Sequence, residues 1–229
     1  MSQLDWLRIG IDFFQAVLSG AVLALLVYFL DRNKAKRERQ YEYFRIATSW
    51  SNKKEKPSMR GFDLEKANLA GHSFKNVDLE GSNLKGAGLE SVNLEGANLR
   101  ATNFTGANLA GAKFIKTEAY RANFTNCSIL PEVYPDELKY SDFSNSSMEE
   151  AKFCSAHILG AKFRGTSLVS VDFSKAIIHE CDFTNADISN SNWLKTKSVT
   201  SCIWVGVKYN NETKLTEKLL YEIRKQNGQ

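Results

Sequence analysis

The chain has 229 residues, 43% hydrophobic and 11% aromatic, with 14 glycines and only 3 prolines. That composition excludes a disordered tail, a collagen-like chain and a disulfide-stapled miniprotein, and the length suits one or two domains with a sizeable core. The net charge of +4 conceals an asymmetry: residues 1–60 carry 11 basic and 6 acidic side chains and residues 61–210 carry 15 and 17, so the basicity does not form a nucleic-acid-binding face.

After a short N-terminus, residues 1–8, the first predicted element is an apolar helix over 9–31. Phe13 to Leu30 run 18 residues without a charge. At about 1.5 Å per residue, a helix of this length crosses a bilayer core of about 30 Å. A cleaved signal peptide is the rival reading. It is disfavoured because MSQLDWLR lacks a basic leader and the following residues are highly charged. Arg32, Lys34, Lys36, Arg37 and Arg39 follow the apolar run, against Arg8 alone before it. The positive-inside rule then places the N-terminus outside and the rest in the cytoplasm, as in a single-pass protein of a bacterial inner membrane. Ala16, Gly20 and Ala24 recur every four residues, the small-residue spacing that lets membrane helices pair, so a homo-oligomer is compatible with the sequence. Residues 32–57 read as a basic juxtamembrane helix and linker that ends by Pro57.

From residue 58 to 208 a period of five replaces any helical or strand alternation. Taking the large apolar position as the centre, it falls every fifth residue from Leu64 to Ile129 and from Phe143 to Ile203. Of these 27 positions 25 are large and apolar, with Ala119 and Ser198 as exceptions. Two residues earlier, 25 of 27 are Ala, Ser, Thr, Cys or Val, with Phe62 and His72 as exceptions. A helix cannot bury such a pattern, since five residues overshoot a turn by about 140° and the centres would spiral. In an extended chain the small residue and the centre point to one side, and two further residues can turn a corner. Four corners close a square coil of about 20 residues, stacked at about 4.8 Å to a solid rod of about 33 Å. Offsets of 20 place Phe143, Phe163, Phe183 and Ile203 in one column and Phe153, Phe173 and Trp193 in another. Asn68, Asn93, Asn98, Asn103 and Asn108 are expected at corners and outer walls.

Ala67-Asn68-Leu69, Ala97-Asn98-Leu99, Ala107-Asn108-Leu109, Ala122-Asn123-Phe124 and the looser Ala161-Lys162-Phe163 resemble the pentapeptide-repeat family over about 150 residues. The resemblance implies a right-handed quadrilateral β-helix, an all-β solenoid. It says little about function, because the family is a scaffold class with diverse roles.

The period breaks between Ile129 and Phe143, where residues 130–140 contain two of the prolines. A loop or short helix is expected to project there. Tyr134, Asp136, Glu137 and Tyr140 form a candidate protein-binding loop, weighed against a tolerated insertion. Residues 209–229 read as a C-terminal capping helix, with Leu215, Leu219, Leu220 and Ile223 on one side of a helix over 212–226.

The sequence offers no catalytic, cofactor-binding or metal-ligating set. His72, His157 and His179 have no partner at ligand spacing, and no nucleophile elbow, phosphate loop or zinc helix occurs. Cys127 and Cys181 fall in the small inward position, whereas Cys154 and Cys202 lie beside centres, where exposure is open to them. Asn-x-Ser/Thr triplets at Asn103, Asn123, Asn126, Asn145 and Asn211 follow from an Asn-rich repeat. The expected function is a non-enzymatic, membrane-anchored scaffold that binds an unidentified cytoplasmic or membrane protein, with the lipid bilayer as its other partner. The alternative is a single-pass effector that self-associates and perturbs the bilayer. A DNA mimic acting on a topoisomerase ranks last: a rod of that length needs on the order of 19 uncompensated acids, and residues 61–210 set 17 against 15 bases.

Overall fold

The computed structural model describes residues 34–49, 58–134 and 137–228; for Tyr134 the backbone alone is described. The expected membrane helix over 9–31, its Ala16, Gly20 and Ala24 face, and Pro57 lie outside these residues. No helix among the described residues is long and apolar enough to cross a membrane. The chain divides into two units, Met1–Glu42 and Tyr43–Gln229. In the first, residues 34–42 are helical; helix α1 spans 34–49, so its last part belongs to the second unit.

The second unit is a four-sided solenoid. Each pentad runs straight for three residues, then turns. The pentad around Leu64 shows the unit: the Leu64 N–H donates to Asn83 O (2.7 Å), and the Asn83 N–H donates to Phe62 O (2.8 Å), a parallel bridge to the next coil. The Ala67 N–H then donates back to Leu64 O (3.0 Å), closing a turn over Glu65 and Lys66. The second turn residue has positive φ, +59° at Lys66 and +70° at Gly71, the signature of a type II turn. Wall bridges recur along one side at 63, 83, 103, 123, 152, 172, 192 and 214. These eight rungs span about 34 Å at about 4.8 Å per step. On another side the wall bridges lengthen into strands, the two-residue β1 (Ser128–Ile129) and the three-residue β4 (His157–Leu159), β5 (Ile177–His179) and β6 (Ser198–Thr200), which pair in parallel.

Inside, stacking of like on like makes two aromatic columns on opposite walls. One carries Phe104, Phe124, Phe153, Phe173 and Trp193, with rings stacked 4.1–5.2 Å apart. The other carries Phe114, Phe143, Phe163, Phe183 and Trp204 at 4.5–5.0 Å. The columns meet edge to face, as in Phe143 against Phe153 at 6.2 Å and 82°. Buried hydroxyls in the small slots find backbone carbonyls, of the previous coil for Ser82 (to Met59 O, 2.7 Å) and Thr102 (to Leu79 O, 2.9 Å) and of their own coil for Thr117 (to Phe114 O, 3.0 Å). Among the described residues no buried side-chain polar atom lacks a partner.

Three sequence expectations need correction. Of the corners and outer walls expected for Asn68, Asn93, Asn98, Asn103 and Asn108, all five occupy walls, at the bridges, and none a corner. Their carboxamides cap the following turn, as where the Ala70 N–H donates to Asn68 Oδ1 (3.2 Å), or ladder between coils, as where Asn103 Nδ2 donates to Asn83 Oδ1 (3.3 Å). The second concerns the last coil. The pairing offset rises from 20 at Asp172↔Asn192 to 21 at Ile177↔Ser198, so one extra residue enters the corner after Trp193. The next centres are therefore Val199 and Trp204. Ser198 was an exception only because the count of five had slipped, and Ile203 is a wall residue, 45% exposed. The same slip moves Cys202 into the inward small slot, where it is buried. Ala119, by contrast, is a true centre, fully buried and hydrogen-bonded to Ser147 O (2.6 Å).

Third, the C-terminal helix α2 (Glu217–Gln226) begins later than expected, because Thr216 is its N-cap and accepts from the Leu219 N–H (3.2 Å). Leu219 and Ile223 are buried, and Lys214 O accepts from the Trp193 N–H (2.8 Å), extending the wall before the helix starts. The final open edge is closed by amide side chains. Gln226 Oε1 accepts from the Trp204 N–H (2.8 Å), Gln226 Nε2 donates to Cys202 O (3.0 Å), and Asn227 Nδ2 donates to Trp204 O (2.9 Å). At the other end Tyr43 stacks on Phe62 at 4.3 Å and Ala47 is fully buried. Phe62 occupies a small-residue slot because its coil has no coil beneath it.

Two outcomes follow. Phe143→Ala empties one step of a column and is expected to lower the unfolding free energy by about 3–5 kcal/mol in denaturant titration. Burial alone would push the Asp182 carboxyl up, but hydrogen bonds from the Thr184 hydroxyl and N–H, and the Arg164 guanidinium, outweigh it and hold the carboxyl below its ordinary value. A depressed folded pKa stabilises the fold above the unfolded value of about 4, and the gain is lost as pH falls through the folded value. Asp182→Asn should therefore lower stability at pH 7 and flatten its decline below about pH 4 in thermal melts.

Candidate functional site

The break in the period is a β-hairpin, not the expected plain loop or short helix. The bridging offset jumps from 20 at Asn93↔Lys113 to 29 at Lys113↔Asp142, so nine residues leave the coil at one corner. Strands β2 (Glu132–Tyr134) and β3 (Glu137–Lys139) pair antiparallel, Glu132 opposite Lys139, Val133 opposite Leu138 and Tyr134 opposite Glu137. Alternation is the local cause: E-V-Y and E-L-K each put one aliphatic residue at the middle, and Pro-Asp separates them. Val133 and Leu138 form one cross-strand pair, 76% and 47% exposed, with Leu130 41% and Tyr140 36% exposed at the base.

The solenoid holds this hairpin through its corners. Ser91 donates its hydroxyl to Glu132 Oε2. Gly111 leaves room for it: a Cβ there would stand 3.2 Å from Glu132 Cβ and 3.4 Å from Lys139 Cβ. The Tyr140 ring lies over Gly160, where a Cβ would sit 2.2 Å from two ring carbons. The hairpin is thus fixed to neighbouring coils on both sides of its own.

Of the sequence candidates, Tyr134 and Glu137 face each other across the hairpin, Tyr140 anchors its base on Gly160, and Asp136 lies outside the described residues. Val133, Leu138 and Leu130 were missed. Their signal was the apolar alternation on either side of Pro135-Asp136, obscured by reading the segment only as a break in the five-residue count. The other site features are the outer walls and thiols. Acids and bases pair between coils, as in Arg60–Glu80 (2.9 Å), Lys75–Glu95 (3.0 Å) and Arg121–Glu150 (2.7 Å). Tyr120 sits within this set, its hydroxyl donating to Glu150 (2.9 Å) and its ring under Arg121 at 4.9 Å. Among the described residues no group of His, Cys, Asp and Glu is arranged to hold a metal ion.

A family model for pentapeptide repeats matches the chain in eight copies, over residues 58–96, 93–129, 137–168 and 159–192. The chain belongs to the pentapeptide-repeat family. Membership carries the right-handed winding of the quadrilateral β-helix, and between residues 58 and 192 the matched segments leave out the first part of the hairpin, residues 130–136. Solved structures similar to the chain include a pentapeptide repeat protein of the Arabidopsis thaliana thylakoid lumen, 26% identical, with TM-score 0.39, covering 44% of this chain and 63% of that one. The chain thus spans less than two thirds of that relative's length. HetL, a protein involved in heterocyst differentiation regulation in the cyanobacterium Nostoc, is 17% identical with TM-score 0.23, over 66% of this chain and 73% of its own. Full-length QnrB1, a plasmid-mediated fluoroquinolone resistance protein, is 18% identical with TM-score 0.32, over 74% of this chain and 86% of its own. None of the curated proteins compared with the chain matches it.

The glycines under the hairpin give a controlled test. Gly160 and Gly106 share a positive φ, +70° and +68°, but a Cβ at Gly106 meets nothing within 4 Å. Both Ala variants should lose about 1–2 kcal/mol to backbone strain. Gly160→Ala alone is expected to displace Tyr140 and speed hydrogen exchange at the Tyr134 and Lys139 amides, which the antiparallel register places in cross-strand hydrogen bonds.

Proposed function

We propose that this pentapeptide-repeat protein is a non-enzymatic binding rod, tethered to a membrane through residues 9–31, whose β2–β3 hairpin engages a protein partner on the cytoplasmic side. The observation that carries the reading is the hairpin itself. A cross-strand pair of exposed aliphatic residues, Val133 and Leu138, is held away from the core on a rigid scaffold. Exposing such a pair to water has an energetic cost that burial in an interface would recover, at about 25 cal/mol per Å² of apolar surface. Elsewhere the walls are laddered by amides and cross-coil ion pairs, and the other exposed large aliphatic side chains among the described residues, Leu194, Ile203 and Val205, lie on the last coil. The same pairing argues against DNA mimicry, because arginines and lysines offset the acids coil by coil. Free cysteines at all four positions suit a reducing compartment.

The hairpin can be removed without disturbing the period. Deleting residues 131–139 joins Leu130 to Tyr140, and Ile129 then precedes Phe143 by one pentad. In full-length protein in native membranes, crosslinking and pull-down should recover a specific partner. The 131–139 deletion and the Val133→Asp, Leu138→Asp pair should each lose that partner by tenfold or more while keeping the parental circular dichroism spectrum. Undiminished recovery with either variant removes the hairpin from the reading, and a full-length chain that fractionates with soluble protein removes the tether.

A further inference from the structure

The end of the solenoid holds a feature that neither the repeat nor the hairpin accounts for. Between the last coil and α2 lies a cavity of about 450 Å³, lined in part by Thr196, Lys197, Thr200, Trp204, Lys218 and Glu222, with Cys202 on its wall. The Cys202 side chain sits in an inward small-residue slot and is 5% exposed. Cys181 occupies the same slot one coil earlier, because Asp182 bridges Ile203 and the Ile203 N–H donates to Cys181 O (2.9 Å). Parallel in-register neighbours stand about 4.8 Å apart, inside the Cα separation of about 4.4–6.8 Å that a disulfide spans. Each thiol donates to a backbone carbonyl, Cys181 to His179 O (3.2 Å) and Cys202 to Thr200 O (3.3 Å).

We propose that Cys202 is a modification site for small peroxides entering through this cavity, with Cys181 as the thiol that resolves the product. The Cys202 sulfur, as thiolate, attacks one peroxide oxygen. The O–O bond breaks, the second oxygen leaves with a proton as water or an alcohol, and Cys202 becomes a sulfenic acid while the peroxide is reduced by two electrons. The Cys181 sulfur then attacks the Cys202 sulfur. The S–O bond breaks, the departing hydroxide takes the Cys181 proton as water, and an S–S bond joins the last two coils. Two thiols and one hydrogen peroxide thereby yield one disulfide and two waters.

The four cysteines differ in fitness for the first step. Burial pushes Cys127 up to about 12, and burial together with the Asp172 carboxylate pushes Cys154 up to about 11. Cys202 moves the other way. The neighbouring Cys181 thiol lowers it against the opposing effect of burial, and Cys181 is raised in turn by Cys202 and by its own burial. Lys197 and Lys218 are among the residues that line the cavity. The ordinary ranking by exposure would select Cys154, which is only partly buried, so the two rankings make opposite predictions.

Serine is a conservative probe here, because Ser141 fills the corresponding slot at an earlier coil and donates to Leu109 O (2.7 Å). Reduced full-length protein is treated with hydrogen peroxide and followed by intact mass and peptide mapping. The expected result is loss of two hydrogens and a Cys181–Cys202 linked peptide, with Cys154 still reduced over the same interval. Cys181→Ser should instead accumulate a sulfenic acid at Cys202 that dimedone traps, and Cys202→Ser should form neither product. Circular dichroism spectra matching the parent keep both variants interpretable as folded. Oxidation of Cys154 ahead of Cys202, dimers linked through Cys154, or absence of a dimedone adduct at Cys202 in Cys181→Ser would each overturn the proposal. The outcome is independent of the hairpin and its partner.

Discussion

Parallel, in-register hydrogen bonding between successive coils is the constraint from which the solenoid follows. Each wall residue gives and takes backbone hydrogen bonds with the coil before it, as Asn83 does with Phe62 O and the Leu64 N–H, while its chain neighbours Ser82 and Leu84 pair with Asn103 of the coil after. A residue inserted into a wall would break that ladder and flip the side chains beyond it from inside to outside. Extra residues can leave the coil only at corners. The offsets obey this: nine residues depart at 131–139, one after Trp193, and one more between Lys208 and Lys214, where the offset reaches 22. In each case the wall resumes in phase, and the large apolar side chains return to the interior.

The same ladder decides what fills the rod and what its ends require. Because each centre stacks on its equivalent one coil away, a phenylalanine favours a phenylalanine above it, and two opposite walls become aromatic columns that interlock edge to face. Stability is then carried between nearest neighbours, and a terminal coil lacks one neighbour. The two ends solve this differently. At the C-terminus the missing coil is replaced group for group, with the Gln226 and Asn227 amides supplying the donors and acceptor that another wall would offer. At the N-terminal end the replacement is apolar, with Tyr43 on Phe62 and Ala47 packed into the core. An oversized Phe62 in a slot otherwise held by small residues marks that end in the sequence itself.

The fold was legible because the five-residue period encodes the wall, the corner and the interior at once. Counting failed where the chain departs from five. Ser198 and Ile203 fell into the wrong phase through one added residue, and Cys202 moved from a position beside a centre on the wall to the interior. A signal was available: Trp193, Trp204 and the Gly206 turn keep the pattern if one residue is skipped, and a tryptophan pairs better with the Phe183 column than an isoleucine does. The corner half of the asparagine expectation failed for another reason. Asn suits turns by conformational preference, but here Gly, Ser, Lys and a second set of Asn residues take the positive-φ corners, while wall Asn side chains cap the corner from the preceding residue. Of the hairpin, only the location was legible. Its contacts with Ser91 and Gly111 depend on coils about 20 and 40 residues earlier in the chain, and no local pattern reports them.

A scaffold this regular also confines where chemistry can occur. The interior is filled by side chains, so a small molecule finds no passage along the axis. The walls expose amides and paired charges that are largely occupied with one another. What remains are the departures from regularity: the corner that expels nine residues, and the end where a helix, broader than a coil, cannot cover its neighbour without leaving space. Thiol chemistry follows the same geometry. Cys127 sits mid-rod and is sealed, its S–H donating to Phe104 O (2.9 Å). Cys202 occupies an equivalent slot, yet lies against the end cavity with another thiol one coil away. The repeat gives both residues the same local structure, and position along the rod alone makes one inert and the other addressable.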